Sequence, residues 1–201
     1  MKKILFNIFV VLSAFAIASC EKGDSQKDLG FPVIYIPQAT VTGLDNSYPV
    51  PAGPLNQYTT CNCNVKEGKL NIIVGVTRAG FIADKKGYSV SLGECPAETD
   101  RKLAEYQEKG TPAMALPAGT YSFPAKIEVP SGESGTACYV TVDLNALASH
   151  KAEIVTADGS KLLVLGLEIS NPSVYELAET NTSVVLVIDP ASEHWGDEPL
   201  I

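Results

Sequence analysis

Basic residues are scarce in this chain: 15 lysines and arginines stand against 23 acids, a formal charge of −8. No cluster of Lys and Arg interrupts that acidity, and an acidic surface repels nucleic-acid phosphates and anionic lipid headgroups alike. Nucleic acid is not an expected partner; cations, neutral glycans and other proteins remain. Histidine is scarcer still, with only His150 and His194. A hydrolytic triad needs a base beside a nucleophile and an acid to orient it, and no Gly-x-Ser-x-Gly elbow occurs. Gly132-Glu133-Ser134-Gly135 comes near that pattern, but a hairpin turn between two strands explains it. The carboxylates are scattered, with no pair placed by the sequence for glycoside hydrolysis. No catalytic residue and no cofactor is therefore expected. The chain also lacks internal repeats and the run of about 20 apolar residues that a spanning helix needs.

What is present begins at the N-terminus. Met1-Lys2-Lys3 precedes an apolar run over residues 4–18, interrupted by Asn7 and Ser13, and the run closes on Ile17-Ala18-Ser19-Cys20. This pattern resembles a bacterial lipobox. The resemblance implies that residues 1–19 are a signal peptide and that the Cys20 sulfur carries a diacylglyceryl group, the one covalent addition expected. Two or more acyl chains, each stabilising by about 0.8 kcal/mol per buried methylene, would hold the protein on a membrane permanently. Loss of Lys2 and Lys3 leaves 13 basic residues against 23 acids, a charge of −10. The expected location is the outer membrane, lipid-anchored, on its surface or periplasmic face.

Residues 20–30 are polar, charged and without period, as expected of a lipidated tether. Residues 31–189 are of a length for one domain with one core, and residues 190–201 form a C-terminal tail. Within the domain, residues 31–36 read as an edge strand closed by Pro37. Residues 41–55 are loop with a brief strand at 47–50. Residues 57–65 alternate so that Cys61, Cys63 and Val65 share one face. Leu70, Ile72, Val74 and Val76 then predict a returning strand after the turn at 66–69, and Tyr88, Val90 and Leu92 a third after the turn at 84–87. One helix is expected near residues 102–109, with a capping residue among Glu98-Thr99-Asp100 and a stop at Gly110 and Pro112. Its apolar side is only Leu103 and Tyr106, so it is read as a lid on an edge or end of the sheets. Cys138, Val140, Val142 and Leu144 share a strand face, residues 145–152 read as a helical turn, residues 161–169 as a strand buried on both faces, and residues 183–188 as the last strand. The whole predicts a mainly β protein: an immunoglobulin-like antiparallel β-sandwich with Greek-key connections and one short helix.

Several of these segments, taken in order, carry a resemblance. They are Val33-Ile34-Tyr35-Ile36-Pro37-Gln38-Ala39, Leu103-Ala104-Glu105-Tyr106, Leu116-Pro117-Ala118-Gly119-Thr120-Tyr121, Ile127-Glu128-Val129-Pro130-Ser131-Gly132-Glu133, Val140-Thr141-Val142-Asp143-Leu144 and the strand at 182–188. The chain resembles a family of Bacteroidetes surface lipoprotein modules of unknown function, immunoglobulin-like in fold and often placed ahead of a glycan-binding or glycoside hydrolase module. It departs from that pattern at Gly166, which stands where a packing residue is expected. With the chain ending at Ile201, no downstream module is expected and no activity is carried over.

An exported location permits disulfides among Cys61, Cys63, Cys95 and Cys138. Cys61 and Cys63 are too close on one strand face to join each other without strain, so the candidate bridges run from either of them to Cys95 or Cys138. The alternative is that Cys138 is a small buried hydrophobe and the rest stay reduced. Paired zinc-ligand spacing is lacking, so no metal site is expected. Trp195, the sole tryptophan, and Tyr139, on the polar face of its strand, are the candidates for stacking on a ligand. The alternatives are an indole folded back over a sandwich edge and a tyrosine with a cross-strand partner. Two functions fit: a non-catalytic binding or adhesion module, for glycans in a polysaccharide-utilisation or surface-adhesion system, or a structural or assembly subunit among envelope proteins.

Overall fold

The structure, a computed structural model, describes residues 29–43, 45–52, 62–82, 85–157, 159–195 and 200–201. The lipobox with Cys20, most of the tether and Cys61 lie outside the described residues. The strands are β1 (Leu29–Tyr35), β2 (Ser47–Val50), β3 (Cys63–Lys66), β4 (Lys69–Phe81), β5 (Tyr88–Glu94), β6 (Ala113–Ala115), β7 (Tyr121–Ser122) and β8 (Lys126–Val129). They continue with β9 (Gly135–Asp143), β10 (Val155–Thr156), β11 (Gly159–Ser160), β12 (Leu162–Ser170), β13 (Glu176–Leu177) and β14 (Ser183–Ile188). The helices are α1 (Pro96–Glu108), α2 (Leu144–Ala148) and α3 (Lys151–Ile154).

Two sheets face each other in a sandwich. One runs β13-β1-β4-β9-β7, with β3 paired to the first half of β4; the other runs β2-β14-β12-β5-β8, with β6 paired to the first half of β12. Most pairs are antiparallel, while β1–β13, β6–β12 and β2–β14 are parallel. The core is the alternation of period two made solid: Leu70, Ile72, Val74 and Val76 of β4 with Val140 and Val142 of β9 on one side, Val90 and Leu92 of β5 with Leu163, Leu165, Leu167, Val184 and Leu186 on the other, all buried.

Three expectations change. Strands β4 and β5 do not form a hairpin: β4 pairs β1, β3 and β9, while β5 pairs β8 and β12 in the other sheet. Likewise residues 130–134 join β8 to β9 across the sandwich and are not a hairpin turn. Period-two alternation marks a buried face but not which sheet owns it. Third, α1 lies over the middle of the second sheet, not at an edge. It packs Leu103 and Tyr106 on Val164, Val185 and Val187, the outward residues of the central strands β12 and β14. That is why β12 is apolar on both faces.

Gly166, the departure noted in the sequence, is explained by this packing. A Cβ there would stand 2.5 Å from the Cys95 carbonyl oxygen and 3.0 Å from the Thr99 nitrogen. The gap is filled instead by hydrogen bonds: Gly166 N–H donates to Thr99 Oγ1 at 2.8 Å and Cys95 N–H to the Gly166 carbonyl at 2.8 Å. The helix is also tied to the loop ahead of β2. Lys102, 3% exposed, donates to Asp45 at 3.1 Å and Glu105 at 2.9 Å, and Arg101 donates to Asn46 at 2.8 Å.

Candidate functional site

The turn over residues 117–120 prepares the site. Thr120 is buried and its hydroxyl donates to the Pro117 carbonyl at 2.7 Å, while Gly119 takes the left-handed φ of 80° that a side chain disfavours. Asp143 N–H donates to the Thr120 carbonyl at 2.7 Å, and β7 then pairs β9 with Tyr121 opposite Val142 and Ser122 opposite Thr141. Val142 points into the sandwich, so Tyr121 turns toward the gap between the sheets and Ser122 faces outward. Phe123, two residues on, packs against the core, and its ring lies 6.4 Å from that of Tyr121 at an interplanar angle of 11°. The pair holds the Tyr121 ring in one plane.

Across the gap stands the other sheet. Tyr121 Oη donates to Glu94 Oε1 at 2.8 Å, from the end of β5. Burial, then the adjoining Glu94 carboxylate, push the Tyr121 hydroxyl up to about 12, so it stays a proton donor at any ordinary pH. Around this pair is a cavity of about 330 Å³. Leu116, Val164 and Leu165 give it an apolar floor, Pro96, Ala115, Pro117 and Ala118 line its sides, and Glu94 and Asp100 bring carboxylates. Among the described residues no basic side chain lines it. An aromatic side chain beside apolar walls, with a few fixed acceptors, suits a ligand that has an apolar C–H face and hydroxyl donors.

A smaller hollow of about 200 Å³ adjoins it on the outer side of β7, lined by Lys69, Gly119, Thr120, Tyr121, Ser122, Thr141 and Asp143. Tyr121 belongs to both. Asp143 is occupied as the cap of α2, its Oδ1 accepting from the Asn145 and Ala146 amides at 2.9 and 3.0 Å. A flatter hollow of about 340 Å³ between Tyr88, Ser89, Glu128, Pro130 and Ser173 offers no comparable floor.

The residues singled out from the sequence fall elsewhere. Trp195 is half-buried, packs on the core and donates Nε1–H to the Asp189 carbonyl at 2.8 Å. It folds back as a cover and lines a hollow of about 240 Å³ with Pro51, Cys63, Asn64, Val65 and His194. Tyr139 stands 51% exposed on the outer face of β9 with Ile73 as its cross-strand partner. Cys63 and Cys138 flank β4 on opposite sides, opposite Ile72 and Val74. Two strand spacings of about 4.8 Å exceed the reach of a disulfide, and no bridge joins Cys63 to Cys95 or Cys138. Cys95 and Cys138 carry free thiols, both pushed up by burial. Among the described residues no three His, Cys, Asp or Glu side chains gather to hold a metal, and no helix is long and apolar enough to cross a membrane. The sequence reading missed Tyr121, Glu94 and Asp100. The available signal was an aromatic pair two residues apart, Tyr121 and Phe123, after a Pro-Ala-Gly turn, which places both rings on one side of an edge strand.

No protein-family model and no curated protein matches the chain. Among solved structures, a protein of unknown function from Bacteroides ovatus aligns with a TM-score of 0.52 at 12% identity, over 78% of this chain and 46% of that one. A candidate carbohydrate binding protein from Bacteroides ovatus aligns with a TM-score of 0.44 at 10% identity, over 78% and 36%. An auxiliary nutrient binding protein from Bacteroides thetaiotaomicron aligns with a TM-score of 0.45 at 15% identity, over 76% and 47%. The chain spans less than half the length of each. The first of these supports the fold.

Proposed function

We propose that this chain is an exported, non-catalytic binding module, held on the outer membrane by a lipid on Cys20, and that it takes a glycan in the cleft between Tyr121, Glu94 and Asp100. The observation that carries this reading is the Tyr121 ring, fixed by Phe123 and by its hydrogen bond to Glu94 over an apolar floor. A sugar ring has the matching parts: an axial C–H face for the tyrosine and hydroxyl donors for the carboxylates. The absence of basic lining turns acidic sugars away. The test is a glycan array followed by affinity-gel retardation with the full-length protein in detergent. Binding of a neutral glycan, weakened at least tenfold (about 1.4 kcal/mol) by Tyr121→Ala and left unhydrolysed on long incubation, is the expected result. An array without a hit refutes the reading, and a shortened glycan refutes the non-catalytic part of it.

The second reading, an assembly subunit among envelope proteins, is favoured by exposed apolar side chains on strands of the first sheet: Phe31 at 90% and Tyr139 at 51%. Co-purification of envelope proteins that Tyr139→Ala releases, with no glycan bound, would support it.

A further inference from the structure

Two adjoining hollows with one residue common to both pose a question that a single-ring ligand does not answer. The larger lies beside Tyr121 where the ends of β5 and β6 flank β12 at the start of α1, with Glu94 and Asp100; the smaller lies outside β7, with Ser122, Thr141 and Lys69. Both touch, through Tyr121, the strand β7. It is two residues long and ends its sheet, paired to β9 on one side alone, so its other edge is a low barrier bearing peptide groups that no strand pairs. The walls also differ in charge. The inner hollow has two carboxylates; the outer one has the Asp143 carboxylate, whose Oδ1 caps α2, together with the Lys69 ammonium.

We infer that the site is built for an oligosaccharide of at least two consecutive rings that straddles β7, one ring on Tyr121 in the inner hollow and the next against Ser122, Thr141 and Lys69 outside. This rests on the glycan reading above and goes beyond it, since a cleft for a lone sugar or a chain end needs no second hollow. The inner ring offers hydroxyl donors to Glu94 and Asp100, and the outer ring offers hydroxyl acceptors to Lys69.

The test uses the full-length protein in detergent and linear neutral gluco- and manno-oligosaccharides of one to six residues, measured by calorimetry. Affinity is expected to rise about tenfold or more from one residue to three and then level off. Ser122→Arg, an exposed position on the outer side, should abolish that rise. Thr141→Arg serves as an independent second block. Tyr121→Ala should weaken every member of the series. If the trisaccharide binds no more tightly than the monosaccharide, or if the rise survives both arginine variants, the two-ring inference fails while the glycan reading stands. If no member of either series binds but the array shows another neutral glycan, its own length series decides in the same way; if the array is blank, both fall together.

Discussion

At the scale of single residues, three groups make the strongest claims. Tyr88 and Tyr121 are both raised to about 12, each first by burial. An acid held protonated in the fold contributes stability that is full below its unfolded value near 10 and is lost as pH rises through 12. Absorbance at 295 nm should therefore show at least two tyrosines un-ionised at pH 11, released only on unfolding; a titration in which all eight tyrosines ionise near pH 10 contradicts the packing described. Asp45 works in the opposite sense. Burial raises its carboxyl, but hydrogen bonds from Thr42, the Ser47 amide and Lys102 outweigh this and hold it below the usual range. Its contribution is full above about pH 4 and is lost as pH falls through the lower folded-state value. Urea midpoints should fall between pH 5 and pH 2.5, and less so in Asp45→Asn than in the native chain. Neither effect was legible in the sequence: the tyrosines are raised by burial, and Asp45 depends on Lys102, 57 positions on, as well as on its neighbours Thr42 and Ser47.

Elements carry the next set of claims. Gly166 admits α1 against β12, and with backbone rather than side-chain atoms 2.5 Å from an added Cβ, the neighbours have little room to yield. Gly166→Ala should destabilise by about 1–3 kcal/mol, read from urea unfolding, whereas Gly93→Ala, with nothing within 4 Å, should change little. The turn between β3 and β4 has positive φ at both Glu67 (54°) and Gly68 (72°), the geometry that Asn-Gly fills best. Glu67→Asn is expected to stabilise by about 0.5–1 kcal/mol. At this scale much was legible: β4, β5 and β9 follow from alternation, because a half-buried strand cannot hide its period, and β12 and β14 from short runs apolar on both faces. Their partners did not follow. A turn such as Asp84-Lys85-Lys86-Gly87 serves a hairpin or a crossing between sheets equally well, and the double-sided apolarity of β12 announced a cover without saying that α1 supplied it.

For the molecule as a whole, the claim is a place as well as a fold. If Cys20 is acylated, Cys20→Ala should move the protein from the membrane fraction to the soluble one; retention in the membrane contradicts the anchor. The sandwich class was readable from strand count and turn spacing, since those are local. The cleft was not, because Tyr121 and Glu94 are 27 positions apart in the chain and meet only when β7 closes one layer against the end of β5 in the other. Trp195 drew notice by rarity, yet rarity says nothing of exposure, and its N–H is spent on the Asp189 carbonyl. The meeting of two layers at Tyr121 has a mechanical side. A guest held by Tyr121 of one and Glu94 of the other couples their sliding, so saturating glycan should slow amide hydrogen exchange in β5 and β7 together, and leave β14, already sealed beneath α1, at its former pace.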